Sequence, residues 1–572
     1  VPSPLSQTRR DAEHQVNPRE HEMSVTNNQS TLCELLTESA ARGSGGLFLH
    51  LDDEPVALPV AELYERALNR AAQLGRAGIE GGGVVGLLGP NAPEWAEWAW
   101  GTWLAGCVLV PLPAPLRVRD PAAFSFQVAS LATATSCETI VGDSKYLGFL
   151  DDERCPKVDW AREALPAPGQ EPARVSPSDL AMVLCTSGST AAPKGVRMTH
   201  ARAMVWARGN AAKGPFGTVP AIVSWLPFFH IGGLGPLLEI VAPVDWHVLP
   251  MSRFVRDPAE WLRLVGKTRA RSTFGPSSAW AAALRGLAKR PAGVDLSCVE
   301  DAVFNAETVD PDVAARIAEV CVPLGLDPRS INVHYASSEA GKISHTEPCE
   351  ELRVDTVDLD DLARQSRALE PKPGRPFKRV VSCGVLFPGV EVRIGSPSDP
   401  LPERHLGEVW VRGAGVTDGY VNTTAEGLFD ADWLRVGDVG YMAEGELFVT
   451  GRSNEVIVRL GQKYHPEDIE QAVQRATSMP PGSCVAFSPL EGRQGDLVVV
   501  VEATGADDLA SEVSAAITNA IGLTPSQVII VPRGTIPTTP NGKLQRARAR
   551  ELHHLGELAL LAGDAAAPKT VH

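Results

Sequence analysis

The run Leu184-Cys185-Thr186-Ser187-Gly188-Ser189-Thr190-Ala191-Ala192-Pro193-Lys194-Gly195-Val196 constrains the fold more than any other stretch of the chain. It continues the apolar Leu180-Ala181-Met182-Val183-Leu184, so a buried strand feeds a loop of hydroxyls, free N–H groups and one cation. Such a loop holds phosphate, and the strand that delivers it calls for α/β layers around it. It is not a Walker A loop, because Pro193 stands where that motif needs glycine before its lysine. The same residue types also suit a plain surface turn, so the rest of the chain has to decide.

With 572 residues the chain is too long for one core and predicts a large domain plus a smaller one. A net charge of −16 argues against nucleic acid as a partner and leaves local cations such as Lys194 to hold any anion. Ten cysteines without a C-x-x-C pair read as reduced thiols of a cytoplasmic protein rather than a disulfide frame or zinc site. The most apolar stretch, from Trp98 to Leu112, is too short to cross a membrane and predicts a buried helix followed by a strand. No membrane partner is expected. Residues 1–22 are polar and lack the apolar stretch of a signal peptide, so 1–25 is expected to be a disordered extension, with Met23 a candidate start.

Along the chain, helical and strand-like patterns alternate. Val60 to Ile79 reads as a helix and Val84–Leu88 as a strand. The glycines between them, Gly81 to Gly86, match G-x-G-x-x-G but follow a helix and precede a strand, the reverse of a dinucleotide fingerprint. Further strands are expected at Ala221–Leu226 and Val299–Phe304, giving layered, largely parallel sheets. Glu347 to Arg379 interrupts the pattern as an insertion with a short helix within Val357–Leu369. A second unit follows Gly451: a helix from Pro466, strands Leu497–Val501 and Val528–Val531, and a helix Leu509–Ile521 between them. The expected division is a large domain over 26–451 and a small, mobile α+β domain over 452–572.

Four further segments belong with the first. Tyr335-Ala336-Ser337-Ser338-Glu339 places an aromatic ring, two hydroxyls and a carboxylate after the strand-like Ile331-Asn332-Val333. Trp433-Leu434-Arg435-Val436-Gly437-Asp438-Val439-Gly440 reads as a carboxylate on a glycine-bounded turn. Gly451-Arg452 follows it, and Pro537 to Arg546 sets Lys543 on a turn. In this order the five segments resemble the signatures of the acyl-adenylate-forming superfamily, from about Leu32 to about Leu552. Within it, Ser224-Trp225-Leu226-Pro227-Phe228-Phe229-His230, Gly275-Pro276-Ser277-Ser278 and Ala306-Glu307 are similar to fatty acyl-AMP ligases.

The resemblance implies an ATP- and Mg²⁺-dependent enzyme that activates a hydrophobic carboxylic acid as its acyl-adenylate, releases pyrophosphate and passes the acyl group to a thiol. Thr186, Ser187, Gly188, Ser189, Thr190 and Lys194 would grip phosphate. Tyr335 would lie on adenine with Ala306, Glu307, Ala336, Ser337 and Ser338 nearby, and Glu339 would stand near the metal. Asp438 would accept the ribose hydroxyls, assisted by Arg452. Glu455 would be the hinge, and Lys543 the catalytic lysine. Trp225, His230, Gly275 and Ser277 would face the acid, with His230 lining or gating its pocket and Trp246 and Trp280 adding apolar walls. The acceptor is a carrier protein, a partner enzyme or coenzyme A, since Glu347–Arg379 sits where these ligases carry an insertion thought to hinder the rotation that admits coenzyme A. A complete acyl-CoA synthetase is the alternative, and a nucleotide-binding protein without catalysis the alternative of another class. Ala191 and Ala336 replace usual glycines, harmless only where φ is negative, and Ile231-Gly232-Gly233 lacks a usual acidic residue.

Overall fold

The computed structural model describes residues 30–558 apart from 119, 152–154, 162–166, 168, 187–193, 212–220, 240–242, 292, 348–349, 422, 425, 460–461, 481, 490–495, 504–507 and 540–542. The expected 1–25 extension therefore lies outside the described residues, as do Ser187, Gly188, Ser189, Thr190 and Ala191.

Two sheets are built from parallel pairs. The larger has nine strands, with Ile331–Ser337, Asp301–Phe304, Ser272–Gly275, Ala221–Ser224, Asp245–Val248 and Gly46–Leu49 adjacent and parallel in that order. The second sets Val84–Leu88 between Thr139–Gly142 and Val108–Leu112 and ends on the antiparallel hairpin of Leu180–Thr186 with Lys194–Thr199. These strands are Val/Ile/Leu-rich runs with little alternation, as expected when helices cover both faces. The third sheet departs from the expected parallel layers: Glu391–Ser396, Gly407–Arg412, Trp433–Ala443 and Glu446–Arg452 pair antiparallel throughout. Ala443 and Glu446 are joined by a tight turn, and none of the connections between these strands carries a described helix.

The helix Pro93–Leu104 ties the first two sheets together. Proline opens it, and Trp95, Trp98, Trp100 and Trp103 are all fully buried. The indole N–H groups of Trp98, Trp100 and Trp103 donate to the carbonyls of Trp160, Leu237 and Ala181, so the large rings bury their area with those donors satisfied. Gly101 lets the helix Val60–Arg76 approach, since a Cβ there would stand 2.6 Å from Arg70 Cβ.

A smaller C-terminal domain follows, with its own apolar clusters. A sheet of Cys484–Phe487, Val498–Glu502 and Gln527–Val531 carries the helices Pro466–Thr477, Leu509–Ile521 and Arg546–His554. The interrupting stretch is a small structure of its own: Val354–Asp358 pairs with Phe377–Val381, and the helix Leu359–Gln365 lies between them. Asp358 caps that helix through the Asp361 N–H at 3.0 Å. The insertion also packs on the small domain. Leu359 joins the cluster that holds Ile457 and Ile469, and Lys378 pairs with Asp468 at 2.7 Å, both largely buried. Asp312 of the large domain receives Arg379 from the insertion and Arg475 from the small domain.

Candidate functional site

In open α/β sheets ligands bind in the crevice beyond the carboxyl ends of the strands. Trp225, Gly275, Asn305–Glu307 and Tyr335 all lie there, at or just past the ends of adjacent parallel strands. Thr186 and Lys194 are paired across the hairpin that ends the second sheet. Lys194 holds its ammonium 5.3 Å from the centre of the Tyr420 ring, and the Tyr420 hydroxyl donates to Glu339 Oε1 at 3.3 Å. The two charges are thus presented together, with an aromatic ring between them.

The strand Ile331–Ser337 runs further than its apolar start suggests and carries Tyr335, Ala336 and Ser337 itself. Ala336 is absent from the residues with positive φ, so its methyl group costs the backbone nothing. Ser337 Oγ accepts the Ala340 N–H at 2.9 Å. The Ser338 carbonyl is gripped by Arg202, whose guanidinium also donates to the carbonyls of Gly415 and Arg197, each at 2.6 Å. Burial pulls Arg202 down to about 10, which leaves it charged at neutral pH.

Asp438 corrects the reading of a glycine-bounded turn. It lies inside the eleven-residue strand Trp433–Ala443, 5% exposed, with the turn residue Gly437 at φ 85° just before it. In the antiparallel register Asp438 faces Arg452 directly, and the two pair at 2.9 Å. The Tyr335 hydroxyl donates to the same carboxylate. One acid, one arginine and one phenol are therefore joined through the Asp438 carboxylate.

Ala306 takes φ 68°, a conformation that costs an alanine about 1–3 kcal/mol, in the segment between the strand Asp301–Phe304 and the helix Pro311–Cys321. Glu307 beside it accepts the Ser278 N–H at 2.7 Å, capping the helix Ser277–Lys289. Burial raises its pKa, opposed by the Ser278 N–H and by Lys543. Ser277 Oγ accepts the Asp310 N–H at 3.1 Å, so its hydroxyl stitches two loops. His230 accepts the Gly232 N–H on Nδ1 at 3.2 Å, and burial, then Lys543, holds it down at about 4. It is neutral at pH 7, with its proton on Nε2.

Lys543 arrives from the small domain. Thr539 brackets its main chain, with the Thr539 N–H on the Lys543 carbonyl at 2.7 Å and the Lys543 N–H on Thr539 Oγ1 at 3.1 Å. Burial lowers its pKa, as does Arg452, while Glu455, Asp438 and Glu307 act in the opposite direction. The large-domain groups are thus within electrostatic reach of a small-domain lysine. Glu455 itself pairs at 2.6 Å with Arg546, which also binds Glu467 at 3.0 Å and Glu470 at 2.7 Å.

Trp225 is placed away from an open wall. Its ring stacks on Phe254 at 3.7 Å and 10°, inside an aromatic cluster that includes Trp261 and Trp280. Gly275 is what lets Trp261 in, since a Cβ there would meet that ring at 3.0 Å. Arg202, Tyr420, Arg546 and Lys378 escaped the sequence reading. Arg202 alone had a local signal, a charge within the apolar helix start Ala201-Arg202-Ala203-Met204. No described helix is long and apolar enough to cross a membrane.

Comparison with known proteins agrees with this geometry. The AMP-binding enzyme family model matches residues 37–421, and the model of the AMP domain of Disco-interacting protein 2-like proteins matches 454–562. A long-chain-fatty-acid–AMP ligase of Mycobacterium marinum is 30% identical, covering 88% of this chain and 93% of its own. A 4-hydroxyphenylalkanoate adenylyltransferase of Mycobacterium tuberculosis is 29% identical over 92% of each chain. A chain from structural work on fatty acyl-adenylate ligases of E. coli and L. pneumophila superposes with a TM-score of 0.85 at 26% identity, covering 92% of this chain and 98% of that one. With strands, site and relatives in accord, the chain belongs to the AMP-binding enzyme family, as an ATP-dependent ligase that converts a hydrophobic carboxylic acid into its acyl-adenylate, releases pyrophosphate and serves a thiol acceptor.

Proposed function

We propose that the reaction is run by Lys543 of the small domain acting on a nucleotide held by the large one, in a small domain that begins at 452 and turns about Glu455. The observation that carries this is the convergence of Lys543 with Asp438, Arg452, Glu307 and His230. A carboxylate must approach an α-phosphate that is itself an anion, so positive charge has to gather between them. Lys543 supplies it at the attacking oxygen. Thr186, Lys194 and the hydroxyls of the intervening loop hold the β- and γ-phosphates. Tyr335 and Ala336 lie against adenine, with Ala306, Glu307, Ser337 and Ser338 bordering it, and Asp438 accepts the ribose hydroxyls with Arg452 beside it. Neutral His230 borders the acid, with Gly275 and Ser277 at the strand end, while Trp225 stands behind them in the aromatic cluster.

Glu339 suits Mg²⁺. Its carboxylate is a hard oxygen ligand with one described hydrogen bond, and no cluster of three metal-ligating side chains exists among the described residues. That fits a cation held by one carboxylate plus phosphate and water. When bound, Mg²⁺ neutralises charge on the leaving pyrophosphate.

The acceptor is a carrier-protein thiol or a partner enzyme in preference to coenzyme A. The contacts of Leu359 and Lys378 of the insertion with the small domain, and of Arg475 with Asp312, support this, because rotation of the small domain would break them. A reducing cytoplasm suits the nine free cysteines among the described residues. ATP–pyrophosphate exchange over a panel of acids, followed by mass spectrometry with ATP, acid and coenzyme A, tests both parts. Acid-dependent exchange and accumulating acyl-AMP are expected. Rapid, stoichiometric acyl-CoA would replace the ligase reading with that of a complete synthetase.

A further inference from the structure

We infer that the acid taken by this site is compact, a short or single-ring carboxylic acid, and that Phe274 backed by Trp246 sets its length. The inference rests on the adenylating role of the site and deepens it. The reacting carboxylate has to lie where Lys543 and His230 come together, at the carboxyl edge of the nine-stranded sheet. Its tail must then run down one face of the sheet or the other. Side chains alternate between those faces, so Val223, Trp225, Thr273 and Gly275 share one, and Ile222, Trp246, Ser272 and Phe274 share the other.

The first face is filled. Trp225 stacks on Phe254 and neighbours Trp261 at 6.2 Å, and Trp261 donates its indole N–H to Thr273 Oγ1 at 2.6 Å. A Cβ on Gly275 would already crowd Trp261, so the space that glycine leaves is taken by an indole. A chain cannot descend there.

On the second face lies the turn that follows His230. Gly235 ends this turn against Trp246, where an added Cβ would meet the indole at 3.3 Å. Phe274 stands edge-on to Trp246 with ring centroids 6.2 Å apart and an interplanar angle of 75°. Trp246 thus fills the space between the turn after His230 and Phe274 of the strand Ser272–Gly275. Phe274 is 9% exposed and Trp246 1%, so Phe274 forms the end wall and Trp246 the layer behind it. Interiors are close-packed and do not yield by several methylenes. A long unbranched tail has no path, whereas a planar or short group meets an aromatic floor.

The test is a chain-length series with two readouts. Wild-type protein is assayed by ATP–pyrophosphate exchange with straight-chain acids of graded length and with phenyl- and hydroxyphenyl-substituted short acids. Binding of the matching acyl-sulfamoyl adenosines, stable mimics of the adenylate, is measured by calorimetry. Short and single-ring acids should lead in both, with kcat/KM falling about 10–100-fold once the tail outgrows the wall. Phe274→Ala should extend the accepted length at unchanged ATP affinity, and Trp246→Leu should extend it further. Equal or better use of long chains by the wild type, or variants that leave the length profile unmoved, overturns the proposal. Absence of exchange with every acid would sink the adenylating reading instead, and the order of sulfamate affinities would still decide the length limit.

Discussion

In the proposed reaction Lys543 carries the chemistry, and it comes from a different domain than Asp438 and Glu307. Replacing it by alanine should cut adenylation by roughly 10²–10³, the scale of one well-placed electrostatic contact. Calorimetric ATP affinity should change little, because the proposed phosphate contacts belong to Thr186, Lys194 and the hydroxyls between them and not to Lys543. Wild-type pyrophosphate release from Lys543→Ala would falsify the assignment. Asp438 behaves differently now that it is seen inside a strand. Asp438→Ala should weaken ATP binding by about 2–3 kcal/mol, as ribose hydroxyls lose a charged acceptor. It should also lower the melting temperature, since Arg452 and the buried Tyr335 hydroxyl lose their shared partner. A variant with unaltered stability would show that the contacts of Asp438 with Arg452 and Tyr335 contribute nothing net to the fold. The misreading has a physical origin: Val-Gly-Asp-Val-Gly carries turn composition, while the strand around Asp438 is set by pairing with Glu446–Arg452, which no local pattern records.

At the scale of elements, the insertion and the Arg546 cluster make the strongest claims. Lys378 donates to Asp468 and to the Thr450 carbonyl at 3.3 Å, joining insertion, large domain and small domain. If these contacts favour the present orientation by only about 2.7 kcal/mol, the alternative is populated near one per cent. Lys378→Ala should therefore raise the slow acyl-CoA side reaction several-fold with adenylation unchanged; a constant ratio of acyl-CoA to acyl-AMP would dismiss the latch. Arg546 gathers three carboxylates in a site with little exposure. Arg546→Ala should cost about 3–5 kcal/mol, because removing the shared arginine strands its carboxylate partners in a buried site. Chemical denaturation reads this directly. Most elements were legible in advance: the helix Leu509–Ile521 has the expected limits, and the insertion's helix lies within the expected Val357–Leu369. Their hydrophobic periodicity is local and strong. The antiparallel third sheet and the Arg546 cluster were not legible, since pairings between distant residues leave no mark at either end.

Across the whole molecule, buried neutral histidines set the response to acid. Burial holds His200 and His230 at about 4, and His334 and His465 at about 3. Each folded value lies below that of the unfolded chain, so the unfolded state binds more protons whenever pH is below about 6.5. Their stabilising effect is complete above that pH and is lost as pH falls toward 4, by at most ~1.4 kcal/mol per pH unit for each group. Melting temperatures should drop steeply between pH 6.5 and 5 with net proton uptake on unfolding, and a flat profile would show that these rings are hydrated. The order of the nine-stranded sheet has a consequence for biosynthesis. Gly46–Leu49 can pair on its parallel side only with Asp245–Val248. A ribosome adding ~5–20 residues per second delivers that partner roughly 200 residues later, about 10–40 s after the first strand is made. During this interval the tryptophan-rich helix Pro93–Leu104 has no Leu237 carbonyl to bind and no finished sheet to cover it. Nascent chains arrested before residue 240 should therefore be held by chaperones and cut readily by protease, and protection should appear in one step once the emerging chain passes Val248.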